Sequence, residues 1–180
     1  MKHILTKVRL AFPELWTPKP FKEGDKPKFK ATFLLEPDDP QVDAIEEAIF
    51  KVAEEAWEGK AKAILGSIRG NVNKFCFQNG DIKSHLDGFA GHWYIGTSSK
   101  AKPLTLDRNK KNVTEADGII YGGCFVNASI SIFAYDNSGK GIAAGLGGVQ
   151  YESEGDAFSG GAPASPDDFE DLGTDTSALA

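Results

Sequence analysis

The stretch Cys124-Phe125-Val126-Asn127-Ala128-Ser129-Ile130-Ser131-Ile132-Phe133-Ala134-Tyr135 decides the fold class. Its even positions are all small or apolar, whereas its odd positions mix Phe125, Phe133 and Tyr135 with Asn127, Ser129 and Ser131. Period two sustained over that length is a strand with one buried face. Asp136-Asn137-Ser138-Gly139 follows with turn residues, and Gly141 to Tyr151 returns as a glycine-rich strand. The pair is a hairpin.

Working outward, two more alternating segments precede it. His3 to Phe12 places Val8, Leu10 and Phe12 on one face and Lys7, Arg9 and Ala11 on the other. Lys28 to Leu35 points Phe29, Ala31, Phe33 and Leu35 inward and Lys28, Lys30 and Thr32 outward. Pro13 to Lys26, with three prolines and a glycine, reads as a loop carrying Trp16 and Phe21. Asp39 followed by Pro40 is a helix start, and Val42, Ile45, Ile49, Val52 and Ala56 continue it at helical spacing to about Lys62. Ser67 to Phe77 reads as a weak strand, Gln78 to Gly91 as a polar loop and His92 to Thr97 as a short aromatic strand. Ser98 to Lys111 is a mobile-looking basic segment. The expected fold is mainly β, an OB-fold-like five-stranded antiparallel barrel with an amphipathic helix inserted at about 40–62. Residues 1–152 form this domain; 153–180, rich in Gly, Ser, Ala, Pro and acids, read as a disordered acidic tail.

The net charge of -6 hides an uneven distribution. From Glu152 onward there are eight acids and no Lys or Arg, and residues 36–62 hold nine acids against three lysines. The rest has 17 basic and nine acidic residues. A basic body beside acidic segments favours a polyanion partner and a tail that competes for the same surface. No stretch approaches the roughly 20 apolar residues of a membrane span, and the charged start MKHILTKVRL lacks the apolar run of a signal peptide. Cys76 and Cys124 read as two reduced thiols of a cytoplasmic protein.

Catalytic signatures are missing from the sequence. No HExxH, CxxC or GxSxG is present, and Gly145-Leu146-Gly147-Gly148 lacks the Lys-Ser/Thr of a phosphate loop. A zinc site from Cys76, His85, His92 and Cys124 fits no standard ligand spacing. The expectation is therefore no enzyme, no metal and no cofactor. What the sequence offers instead is a binding surface. Aromatics on an otherwise polar strand face give bases something to stack on, and cations on neighbouring strands meet phosphates. The candidates are Phe125, Phe133 and Tyr135, with Trp16, Phe21 and Tyr94 in addition, and Lys7, Arg9, Lys28, Lys30, Lys100 and Lys102. Trp93 reads more readily as core. The acidic helix argues against reading of duplex DNA.

The run from Ile120-Tyr121-Gly122-Gly123-Cys124 through Phe133-Ala134-Tyr135-Asp136, with Gly139-Lys140-Gly141-Ile142, Gly145-Leu146 and Val149-Gln150, resembles a family of bacteriophage single-stranded-DNA-binding proteins. Val8 to Phe12 and the Lys28–Leu35 strand followed by Pro37 are similar too, so the resemblance spans roughly residues 4–152. It implies an OB-fold, an acidic C-terminal tail and sequence-independent single-strand binding in phage replication, recombination or repair, in the host cytoplasm. The expected partners are single-stranded DNA and phage or host replication proteins at the tail, with Phe169 and Leu172 as apolar anchors; a homodimer is compatible and a membrane is not expected. The chain departs from the best-known tails of this kind by ending Ser177-Ala178-Leu179-Ala180 rather than in an aromatic after acids. The rival reading is a non-enzymatic phage structural or adaptor protein that uses the aromatic face to bind protein.

Overall fold

The alternating stretch forms β6 (Phe125–Asp136), and its faces divide as the pattern predicts. Val126, Ala128, Ile130 and Ile132 are buried, while Ser131 and Phe133 are exposed. The computed structural model describes residues 1–158 and 166–174. β6 lies between β1 (Lys2–Lys19) and β7 (Lys140–Ser153), antiparallel to both. On its other edge β1 pairs with β2 (Lys28–Leu35), and β2 pairs with β4 (Trp93–Ser99). A single parallel pairing, Ser98 with Gly145, joins β4 back to β7. The five strands β1, β2, β4, β7 and β6 thus close a barrel, the OB-fold arrangement. Short β3 (Phe77–Asn79) and β5 (Leu104–Leu106) extend it at β4 and β7.

Two bulges shape β1. Its register slips against β6 between Leu5 and Val8, and against β2 between Ala11 and Glu14. At these slips Lys7 and Phe12 each take φ 48. An extra residue inverts the side-chain alternation beyond it. Val8 and Leu10 accordingly reach the core as expected, but Phe12 is turned out and is 55% exposed. The expected loop from Pro13 is also strand, as far as Lys19. The ladder there is sparse, with Glu14 opposite Lys30 and next Lys19 opposite Lys28. Prolines 13 and 18 fall where no ladder donor is needed.

Between β2 and β3 the chain is helical in two pieces. In α1 (Pro40–Ala56), Asp39 caps by accepting from the Gln41 N–H, Pro40 occupies the first turn, and Ile45, Ala48, Ile49, Val52 and Ala53 are buried. The helix ends before the expected Lys62, at Trp57, and Gly59 turns the chain at φ 72. α2 (Ala61–Ile68) follows and buries Ala61, Leu65 and Ile68. The strand expected from Ser67 is therefore the end of a helix and a turn, with one parallel bridge from Phe75 to Ile142 before the strand that starts at Phe77. The core beneath the helices is dense in large side chains, among them Phe33, Phe75, Phe77, Ile95 and Ile130, all at most 2% exposed. Among the described residues no helix is long and apolar enough to cross a membrane.

The body also runs past the expected boundary at 152. Tyr121 Oη donates to the Gly155 carbonyl at 2.9 Å and the Phe158 N–H donates to Gly122 O at 3.0 Å. The Arg9 guanidinium donates to Asp156 O at 2.6 Å and lies 4.4 Å from the centre of the Phe158 ring. Gly123, at φ 110, is required there, because a Cβ would stand 2.1 Å from Asp156 O. Residues 153–158 are thus a docked strap. Phe169 and Leu172 are 71% and 90% exposed. The rest of the expected tail, 159–165 and 175–180, lies outside the described residues.

Candidate nucleic-acid interface

The barrel's pairing assembles a row of outward residues across four strands. Lys30 on β2 pairs with Ser98 on β4, Ser98 with Gly145 on β7, and Gly145 with Ser131 on β6. Their chain neighbours Ala31, Thr97, Ala144 and Ile130 are buried, so this row faces out. Three strand spacings make it about 14 Å wide. Its floor is small: Ser98, Gly145 and Ser131 carry almost no side chain.

An aromatic stands at each end. Phe133 is two residues beyond Ser131 on β6 and 44% exposed; its ring edge comes 4.0 Å from where a Cβ on Gly145 would be. Phe21, in the connection from β1 to β2, is 72% exposed, with its ring centre 4.9 Å from Lys30 Nζ. The cations gather at the Phe21 end. Lys28 is exposed and pairs with Lys19 on β1. Lys100 lies one step past the pairing of Phe29 with Ser99, which puts it abreast of Lys28, and Lys102 is exposed just beyond. One carboxylate intrudes: Glu14, opposite Lys30, has an oxygen 4.0 Å from Nζ. Anionic groups are attracted to such a cluster of cations, and flat apolar rings to Phe133 and Phe21.

The remaining expected residues stand elsewhere. Phe125 shares the outward face of β6 with Phe133 but is eight residues away, about 27 Å along a strand, with its ring edge at Gly155. Tyr135 is half-buried. Its ring covers Gly141, where a Cβ would come within 2.3 Å, and its hydroxyl donates to Asn73 O at 3.3 Å. Tyr94 offers no open ring: it is 6% exposed, with Phe89 at 5.2 Å and Lys83 Nζ 5.2 Å from its centre. The cause is that the connection around Phe89 folds over the outer face of β2 and β4 into a second small core with Ala11 and Leu34. Trp93 packs on Phe77 at 5.3 Å, as its core reading predicts. Arg9 is engaged by the strap and also donates through Nε to Gly123 O at 3.1 Å, so two of its three guanidinium nitrogens already have backbone partners. Lys7 is exposed and lies near Glu152, whose carboxyl is held below its ordinary range by a Ser153 hydrogen bond and by the charges of Lys7 and Arg108. Trp16 is half-buried and donates through Nε1 to Val113 O at 3.4 Å.

Sequence reasoning also misplaces two residues. Lys19, placed in the supposed loop, stands beside Lys28. Phe12, counted as core, has its ring 5.9 Å from that of Phe89. The signal for Lys19 was its charge among prolines; for Phe12 there was none without the bulge. The imagined zinc site has no counterpart among the described residues, which contain no group of three or more His, Cys, Asp or Glu able to hold a metal. Burial pushes the Cys76 thiol up to about 12, and the Cys124 thiol is raised for the same reason.

Comparison with known proteins gives a consistent picture. A family model described as "Enterobacter phage Enc34, ssDNA-binding protein" matches residues 1–179. A relative from Acyrthosiphon pisum secondary endosymbiont phage 1, "Putative protein p50", is 44% identical over 176 residues, covering 96% of this chain and 94% of its own. Among solved structures, the single-stranded DNA-binding protein from bacteriophage Enc34 in complex with ssDNA superposes with a TM-score of 0.73 at 23% identity, over 87% of this chain and 88% of that one. The single-stranded DNA binding protein gp2.5 of bacteriophage T7 gives 0.56 at 16% identity, over 95% and 97%. At these identities the two structures bear on the fold, which they share with this barrel.

Proposed function

The chain belongs to the family of the Enterobacter phage Enc34 ssDNA-binding protein, and from that premise we propose that it binds single-stranded DNA without sequence preference and serves phage replication, recombination or repair without turnover or cofactor. The observation that supports this most is the row from Phe133 over Gly145 and Ser98 to Lys30 and Phe21. Bases stack on the two rings, whose π faces accept any base, while the floor of Ser and Gly lets the strand lie close. Lys28, Lys30, Lys100 and Lys102 meet the phosphates at one end. A duplex has its bases already stacked on each other and cannot use the rings.

This assignment divides the expected aromatics. Phe133 stacks; Phe125 packs against the strap. Phe133→Ala should weaken binding to oligo-dT by about 1–3 kcal/mol, the range for one stacked base. Phe125→Ala should leave affinity nearly unchanged and lower the melting temperature instead. The reverse pattern would move the interface to the other end of β6. In this reading the acidic residues beyond Phe158 compete with DNA for the cations when no DNA is bound.

A further inference from the structure

A cleft of about 750 Å³ opens beside the row, between β1 and the segments around residues 85–87 and 115–122. Its walls are mostly apolar and aromatic, with Phe12, Leu15, Trp16, Tyr121 and Phe158 among them. Phe12 reaches its rim only through the bulge at φ 48, a backbone conformation that a bulky residue seldom adopts. Two of its lining residues are shared with the cationic row. Lys19 pairs with Lys28, and Glu14 pairs with Lys30. A strand leaving the row at Lys28 and Lys30 therefore arrives at the mouth of the cleft.

Glu14 is the unusual group. Its Oε2 lies out of water and accepts no hydrogen bond; Lys30 Nζ, at 4.0 Å, is an ion-pair partner beyond bonding distance. Buried acceptors are ordinarily satisfied, so this oxygen has capacity for a donor, and the Glu14 side chain, 26% exposed, brings it to the cleft by turning its carboxylate. The donor is not a phosphate, which carries none. Asp87 and Glu115 also line the cleft, against Lys19 and His85, and make it a poor host for a second anion. A flat aromatic ring with an N–H at its edge fits all of these features.

The geometry points to a nucleobase pocket: a base at the end of the bound strand turns into the cleft past Phe12 and Trp16 and donates an exocyclic amino hydrogen to Glu14. This rests on the reading that single-stranded DNA occupies the row. It assigns the pocket to amine-bearing bases, namely cytosine, adenine and guanine. Thymine can offer only its N3–H, which is flanked by two carbonyl oxygens that repel a carboxylate, whereas cytosine presents its amino group at O4's position. Binding along the row stays tolerant of sequence, while one position prefers an amino group.

The test compares oligo-dC and oligo-dT of equal length, matched in ring size, against the unmodified chain and Glu14→Gln at one salt concentration. The pocket predicts that Glu14→Gln lowers the ratio of dC to dT affinity by roughly tenfold, the loss of one charge-assisted hydrogen bond. A carboxylate that merely competes with phosphates for Lys30 predicts something else: both oligomers tighten together and the ratio is unchanged, which overturns the pocket. Phe12→Ala is a second, independent variant at an exposed position. It should weaken dC more than dT, and equal loss would also overturn the pocket. If the unmodified chain binds neither oligomer, the single-strand reading itself fails and the pocket falls with it.

Discussion

Lys28 and Lys30 sit two residues apart on the same face of β2, yet their surroundings predict different effects on binding. Lys28 is exposed, with Lys19 opposite it and Lys100 abreast on the other side. Crowding three cations is unfavourable until a phosphate arrives. Lys30 already has Glu14 at 4.0 Å and the Phe21 ring at 4.9 Å, so a phosphate gains less from it. For single strands each phosphate contact adds about 0.7 to the log–log slope of affinity against salt. Between about 50 and 200 mM salt, one contact is therefore worth a change of roughly 2.6-fold. Lys28→Ala should flatten the slope by about 0.7, and Lys30→Ala by clearly less. The double variant should fall between about 0.7 and 1.4. The assay is fluorescence anisotropy of a labelled oligo-dT at five salt concentrations. Unchanged slopes in both variants would remove β2 from the interface. A larger effect from Lys30 than from Lys28 would refute the argument that Glu14 partly neutralises it.

Three further outcomes follow from the packing. Gly141→Ala puts a Cβ within 2.3 Å of the Tyr135 ring and should cost about 1–3 kcal/mol in urea unfolding, with most of the loss recovered when Tyr135→Ser is added. Cys76, its thiol pushed up to about 12 mainly by burial, should resist alkylation by iodoacetamide at pH 8 in the folded protein and react readily in urea. The sign for stability follows: the folded state favours the protonated thiol, so its contribution is full below the ordinary thiol pKa of 9.0 and is lost as pH rises from there toward about 12. Ending the chain at Phe158 should tighten single-strand binding at low salt without changing the melting temperature. Ending it at Tyr151 should also destabilise the fold by about 1–2 kcal/mol, because the half-buried Phe158 and its contact with Arg9 are removed.

How far the sequence reveals this molecule depends on the range of the interactions. β6 is legible because it has antiparallel neighbours on both sides and one wet face, which imposes strict alternation from Cys124 to Tyr135. The start of α1 is legible because Asp39 and Pro40 are local signals. α2 is not: eight residues with Gly66 inside give too few helical repeats to outweigh the apolar run toward Phe77. Phe12 is lost to a bulge, since counting by twos cannot register an inserted residue. Lys28 and Lys30 show in the alternation of β2, but Lys100 comes beside them only through the β2 to β4 pairing, which spans both helices. Alternation also tells that Phe125 and Phe133 share a face without telling that residues near Gly155 cover Phe125 while Phe133 stays open. The pairing of Arg9 with Asp156 and Phe158 joins positions nearly the whole chain apart, and nothing local in 153–158 distinguishes a strap from a linker.

The most direct test of the central claim is an anisotropy titration of labelled oligo-dT beside a duplex of equal length, each at low and moderate salt. The row of rings and lysines predicts tight binding of the single strand that weakens as salt rises, with the duplex bound far more weakly at both concentrations. Equal binding of the two, or no binding of the single strand at low salt, would contradict it.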